Sequence, residues 1–249
     1  LENFNISVAV TDKFMEAVRK RKNYDLINPR TQKKVKEESA EKIFNLICEI
    51  AHKTGDPGLI FLDKINKDNP TPKLGPLEST DSCGEQPLLP YESANLGSIN
   101  LSNMVKNGVI GFNKLKNTVN KAIHFLDNVI DMCHYPTPET KEIVRKNRKI
   151  GLGVMGFAEM LIKLKIPYNS DRAVKTAEKI ISFIRKEADS ASMDLAKERL
   201  TFPSWEDSIY NRKGKAKPMP LRNATRLTIA PTGSISIIAD TSFGIEPLF

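Results

Sequence analysis

Between residues 55 and 92 the chain carries six prolines, Pro57, Pro70, Pro72, Pro76, Pro87 and Pro90, and no long helix or strand can run through that stretch. Proline fixes φ and lacks an amide proton, so it breaks a helix interior and removes a bond from a strand ladder. An irregular connection this long is uncommon inside a compact protein and usually carries function. The regular elements must lie on either side of it.

On the N-terminal side, residues 5–10 (NISVAV) read as a short strand, after which Thr11 can cap a helix with Phe14 and Val18 on its apolar face. Residues 39–53 read as a second helix, with Ile43, Leu46, Ile47 and Ile50 on one stripe and Gly55 just past the end. On the other side, Leu115, Val119, Ile123, Leu126, Ile130 and Cys133 recur at helical spacing. A longer helix starts at Ser170, with Asp171 in its first turn, and runs through Ala173, Ala177, Ile180, Ile184, Ala188, Ala191 and Leu195. Between these two, KIGLGVMGF (149–157) reads as a buried strand entering a helix at about Met155. Near the C-terminus ATRLTIA (224–230) alternates like a strand and leads into PTGSIS. Strands separated by helices indicate an α/β architecture, and no internal repeat is present.

A chain of 249 residues accommodates one large or two small domains. Its 40% hydrophobic and 27% charged residues are ordinary for a globular protein. No uncharged apolar run approaches the roughly 18 residues of a membrane helix, and no secretory signal pattern is present, so neither membrane insertion nor secretion is expected. Cys48, Cys83 and Cys133 stand in unrelated contexts, which argues against a disulfide framework. No Cys/His cluster points to a metal, and a reducing cytoplasm is the expected compartment. The net charge of +8 comes from runs at 19–22, 33–36, 145–149 and 212–217. These read as solvated helix ends and loops. Almost no aromatic residues interleave with them, so nucleic acid is not an expected partner. A basic balance also suits a polyphosphate substrate. The chain starts at Leu1 and stops at Phe249 within the apolar run GIEPLF, and is expected to be a piece of a longer protein.

Two segments offer chemistry. Cys48 and Cys133 lie on or beside apolar stripes and read as buried packing thiols, and His52, His124 and His134 read as structural or solvated. Cys83 differs, because it sits in the proline-rich stretch as DSCGEQP with no apolar neighbour to bury it. In an extended segment Asp81, Cys83 and Glu85 would share one face. Two carboxyl groups beside a thiol disfavour the thiolate, which suits hydrogen-atom chemistry with carboxylates moving protons; an inert surface loop is the other reading. The second segment, IAPTGSIS (229–236), offers amides and three hydroxyls where a helix opens, a geometry that holds phosphate without a basic side chain. GLGVMG (151–156) matches GxGxxG, but no acidic residue follows at the distance a ribose contact needs, and the glycines read as close strand–helix packing.

GDPGLIFLDKINKDNPTP (55–72) followed by DSCGEQPLLPYESANLGSINL (81–101) resembles the large catalytic chain of ribonucleotide reductases, most closely the adenosylcobalamin-dependent branch. FNISVAVTDKFMEAV (4–18), RKIGLGVMGFAEML (148–161) and NATRLTIAPTGSISIIA (223–239) are similar to further blocks of that family in the same order. The resemblance implies that residues 1–249 are a piece of a ten-stranded α/β barrel, with a finger loop at about 77–95 and a phosphate-binding turn at about 231–236. It implies that Cys83 is a thiyl radical taking the 3′ hydrogen of a ribonucleotide and that Glu85 is the base on the 3′ hydroxyl. Asp81 would stand where the family has a substrate-bonding Asn. Ser82 and Gly84 would line the substrate, and Pro231, Thr232, Gly233, Ser234, Ile235 and Ser236 would hold its phosphates. Adenosylcobalamin is the implied cofactor. The implied partners are a ribonucleoside di- or triphosphate, a thioredoxin-like or other dithiol reductant, and a second copy of the full-length chain. Two departures stand out. Asp81 replaces an amide with a charge, and Ala94 stands where the family has one of its two reducing cysteines. They leave open a redox-inactive nucleotide-binding relative, and the isolated piece is not expected to turn over.

Overall fold

The computed structural model describes residues 4–211 and 217–248, so most of the basic run at 212–217 lies outside the described residues. The chain divides into two compact units, one formed by residues up to Asn69 with Pro76–Pro90, the other by Pro70–Gly75 and the chain from Tyr91 onward.

The first unit opens with β1 (Ser7–Val10) and α1 (Asp12–Arg19). Thr11 caps α1 as expected, its hydroxyl accepting the Phe14 amide at 3.2 Å. An antiparallel hairpin follows, β2 (Asn23–Ile27) and β3 (Lys34–Ser39), which the polar sequence does not announce. α2 (Ala40–Thr54) begins at a Ser39 cap and ends at Gly55 in the left-handed region, φ 87°. Its stripe is only partly covered: Ile47 is buried, whereas Leu46 and Ile50 remain exposed. β4 (Gly58–Phe61) pairs in parallel with β1, Ser7 opposite Gly58, and leads into α3 (Leu62–Lys67). The proline-rich stretch then yields only the two-residue strands β5 (Ser79–Thr80) and β6 (Pro87–Leu88), antiparallel to each other. Asn66 anchors this hairpin at its base, donating to the Leu77 carbonyl at 2.8 Å and accepting the Leu77 amide at 2.7 Å.

The second unit is built on β7 (Asn95–Asn100), preceding a small hairpin of β8 (Val105–Lys106) and β9 (Val109–Ile110). α4 (Phe112–Met132), α5 (Pro138–Asn147) and β10 (Ile150–Met155) follow. β10 pairs in parallel with β7, and all six of its residues are buried, as a strand covered on both faces must be. α6 (Phe157–Lys163) starts two residues beyond the expected point. α7 (Asp171–Arg199) is capped by Ser170, and α8 (Gly233–Ile238) closes the order. The helical stripes meet in one core, where Leu115, Val119 and Ile123 of α4 and Ile180, Ile184 and Ala188 of α7 pack with Leu152 and Val154. The architecture is α/β. The strands pair two by two, so the expected barrel is not closed among the described residues.

Three expectations change. Residues 224–230 form no full strand but make a single parallel bridge, Leu152 to Leu227, beside β10. The glycines of β10 serve this approach rather than a helix: a Cβ at Gly151 would lie 2.5 Å from Thr228 Cγ2. The run at 145–149 is not solvated throughout, because Asn147, Arg148 and Lys149 are buried and matched by acids. No helix of the described residues is long and apolar enough to cross a membrane.

Candidate active site

Residues 81–86 join β5 to β6 through a tight turn, so the extended face expected for Asp81, Cys83 and Glu85 does not form. The Gly84 amide donates to the Asp81 carbonyl at 3.2 Å, and Asp81 and Gln86 pair backbone to backbone at 3.1 Å. Asp81 Oδ1 also accepts the Gln86 amide, at 3.1 Å. Gly84 sits at φ 89°, a conformation an L side chain strains to adopt. The turn places Cys83 at its tip, exposed, with the Ser82 hydroxyl 3.7 Å from the sulfur. Asn5 ties the tip down, its side-chain amide donating to the Ser82 carbonyl at 2.6 Å.

The same turn brings the Asp81 and Glu85 carboxyls into hydrogen-bond contact. Burial pushes the Glu85 carboxyl above its ordinary range; its own backbone amide pulls it back, and the hydrogen bond and charge of Asp81 push it up again. A carboxyl that holds its proton more tightly than usual can still act as a base once ionised, and is the better proton carrier near neutrality. Cys83 and Gly84 line an open cleft of about 830 Å³ whose walls include Asn5, Ile6, Lys64 and Thr80. The sulfur therefore faces a space of ligand size.

The second candidate segment lies in the other unit. Thr232 precedes α8 in the left-handed region, φ 61°, and is buried, while Pro231, Gly233, Ser234 and Ile235 are exposed. Two of the three hydroxyls hold the turn itself. Thr232 Oγ1 accepts the Gly244 amide at 2.8 Å, and Ser236 Oγ donates to the Thr232 carbonyl at 2.6 Å. Ser234 alone of the three points its residue to solvent. The opening amides of a helix have no intrahelical acceptor, and a Cβ on Gly233 would meet nothing within 4 Å, so these amides border open space.

Cys48 is exposed rather than packed, and Cys133 is half-buried. His124 meets the Arg199 guanidinium at 2.9 Å, and His52 and His134 are exposed. Among the described residues no group of three or more His, Cys, Asp or Glu is arranged to hold a metal. Sequence reading missed the buried charges. Asp127 of α4 is fully buried and receives Arg148 Nε at 2.9 Å, Asn223 Nδ2 at 2.9 Å and Arg222 Nε at 3.4 Å. Lys149 and Glu92 pair at 2.6 Å, also buried. The signal for Asp127 was present: it lies four residues after Ile123, on the apolar stripe of α4.

Over residues 1–249 the sequence matches the family model described as ribonucleotide reductase, barrel domain. It is 54% identical, over its whole length, to 32% of the vitamin B12-dependent ribonucleoside-diphosphate reductase of Thermoplasma acidophilum. Identity is 50% to 35% of the enzyme of the same name from Mycobacterium tuberculosis, again over the whole chain. A ribonucleoside-diphosphate reductase subunit alpha of Chlamydia pneumoniae is 33% identical over 88% of the chain and 24% of its own length. The chain spans about a third of the length of the first two relatives.

Proposed function

The chain belongs to the ribonucleotide reductase barrel-domain family, and on that premise we propose that it supplies the radical-bearing part of an enzyme reducing ribonucleoside diphosphates to 2′-deoxyribonucleotides. The observation that carries this reading is the placement of Cys83: an exposed sulfur at the tip of a tied-down turn, on an open cleft, beside a carboxyl held above its ordinary range. In this reading the Cys83 thiyl takes the 3′ hydrogen of the ribose and later returns it. Glu85 removes the 3′ hydroxyl proton, which helps the C2′–O bond break, and the 2′ hydroxyl takes a proton from the reducing dithiol and leaves as water. Asp81 bonds the substrate where the family uses an amide, and Ser82 and Gly84 line the sugar. The opening amides of α8 with Ser234 hold the phosphates.

Adenosylcobalamin, to which the vitamin B12-dependence in the names of two of these relatives points, would supply a carbon radical able to take the thiol hydrogen. The structure fits such a group in one respect. The sulfur is open to the cleft, where an abstracting radical could reach it, and Asn5, Ile6 and Gly84 line the same cleft. The two electrons of the reduction come from a dithiol that ends as a disulfide. The enzyme works in the cytoplasm as a homodimer, with a thioredoxin-like protein restoring the dithiol.

Ala94 favours a second reading, a nucleotide-binding relative that does not complete turnover, because an alanine cannot give electrons. Radical competence decides between them. Full-length protein mixed with adenosylcobalamin and a ribonucleoside diphosphate should give a paramagnetic signal that vanishes in Cys83→Ser. Absence of a Cys83-dependent signal would sink the first reading and leave the second.

A further inference from the structure

The turn at Thr232–Gly233 is held from outside by residues that the sequence did not single out. Thr241 Oγ1 donates to Glu159 Oε2 at 2.5 Å, and Asn100 Oδ1 stands 3.3 Å from the same hydroxyl. The Asn100 oxygen is fixed in place because it accepts the Ser102 amide at 3.0 Å. Backbone ties complete the clip: the Thr241 amide donates to the Ser236 carbonyl at 3.0 Å, and the Gly156 amide to the Ser242 carbonyl at 2.8 Å. Three residues further along, the Gly244 amide reaches the Thr232 hydroxyl. Residues 241–244 thus join the end of β7 and the start of α6 to both ends of the first turn of α8.

Two features show that this clip has little slack. A Cβ on Gly156 would lie 2.5 Å from both Asn100 Oδ1 and Thr241 Oγ1, so nothing larger than glycine fits there. Thr232 holds a left-handed conformation that a β-branched residue resists, and it stays there only where its surroundings over-determine it. The clip is that surrounding. Ser242, in the middle of it, is buried with a hydroxyl that has no hydrogen-bond partner among the described residues. A buried polar atom of this kind is normally satisfied by water or ligand. The hydrogen bond from Thr241 commits one carboxyl oxygen of Glu159 to the protein.

We propose that Thr241, oriented by Glu159, is a positioning residue that fixes the Thr232–Gly233 turn for the phosphate groups of the substrate. The inference rests on residues 231–236 holding phosphate. Amides bind an anion tightly only when their directions are set beforehand, and releasing Thr241 frees the loop that sets them.

The test compares dissociation constants of cytidine diphosphate and of cytidine on full-length protein. Gly233→Asp probes the underlying reading, because the new side chain enters open space and brings a negative charge to the turn. It should weaken cytidine diphosphate and leave cytidine unchanged; equal affinity for cytidine diphosphate would remove the phosphate reading itself. Thr241→Val, which keeps the shape and loses the hydroxyl, should weaken cytidine diphosphate by roughly tenfold, the scale of one hydrogen bond, with cytidine unchanged. Thr241→Ser should restore it. If Gly233→Asp weakens binding while Thr241→Val binds as the parent does, the positioning role is wrong and the phosphate turn stands. Equal losses for both ligands in Thr241→Val, or no rescue by Thr241→Ser, would mark Thr241 as a general packing residue and overturn the inference.

Discussion

Gly153 of β10 and Thr228 meet backbone to backbone: a Cβ on Gly153 would stand 2.4 Å from the Thr228 carbonyl oxygen. Backbone cannot yield there as a flexible side chain would. Gly153→Ala should therefore destabilise the full-length protein by about 2–3 kcal/mol, at the upper end for overpacking. Gly97→Ala in β7 is the control, since its Cβ would meet Leu126 Cδ2 at 3.5 Å, ordinary contact. It should shift the denaturation midpoint little. Equal shifts for the two variants would show that the 225–229 segment adapts.

Asp127 carries a second prediction. Its carboxylate is fully buried among Arg148, Arg222 and Asn223, so Asp127→Ala would leave the half-buried Arg222 guanidinium without its carboxylate and the buried Arg148 with Asp131 alone. The expected loss is about 3–5 kcal/mol, the range for breaking a buried ion pair from one side. Asp131 also pairs with Arg148, at 2.8 Å, but its side chain is 48% exposed, and Asp131→Asn should lose less than about 1 kcal/mol. The hydrogen bond from Arg148, and then its charge, hold the Asp131 carboxyl below its ordinary 3.8. A depressed folded value means the contribution is complete above that ordinary value and is lost as pH falls through the folded one. The difference between parent and Asp131→Asn should therefore vanish in strong acid, as paired urea titrations would read.

Much of this was legible beforehand, and what was not has physical causes. Thr11, Ser39 and Ser170 marked helix starts because a cap is a local contact, readable within three residues. α5 was missed although Thr137 and Pro138 announce a cap and a first turn; its mean polarity hid the short apolar face. The DSCGEQP block supplied the candidate residues, but the extended face read for them does not form, since alternation assumes an extended chain and Gly84 makes a turn. Arg148 and Lys149 looked solvated because charge runs usually are. Their acidic partners lie 21 and 57 residues away, a distance no local pattern spans.

Glu85 should show its neighbour in a titration. Burial raises its carboxyl first, and Asp81 adds a hydrogen bond and a charge that also raise it above the ordinary 4.5. Asp81→Asn removes the charge, so the Glu85 midpoint should fall; burial remains, so it should stay above the ordinary value. Carboxyl carbon-13 resonances of full-length protein followed against pH would show this. An unmoved midpoint would mean that the two carboxyls do not share a proton. If Glu85 is the base, the acid limb of activity should move to lower pH in the same variant, because the ionised form is then reached sooner.

The last prediction concerns electrons. Removing the 2′ hydroxyl as water and closing the reaction takes two electrons, and a thiol pair gives them by becoming a disulfide. In the proposed reaction Cys83 cannot serve, because it must recover its hydrogen atom for the next cycle, and Ala94 has nothing to give. Full-length protein supplied with a dithiol should therefore form essentially no product by this route, with Ala94→Cys turning over repeatedly provided the full-length chain carries the other thiol of the pair. Cys83→Ser should make no product in the Ala94→Cys background either, and its loss of the Cys83-dependent paramagnetic signal, which the Ala94 protein keeps, separates loss of the radical from loss of the reductant. Equal steady-state rates with Ala94 and with Ala94→Cys would show that electrons reach the sugar by another route, and the departure at this position would then carry no functional weight.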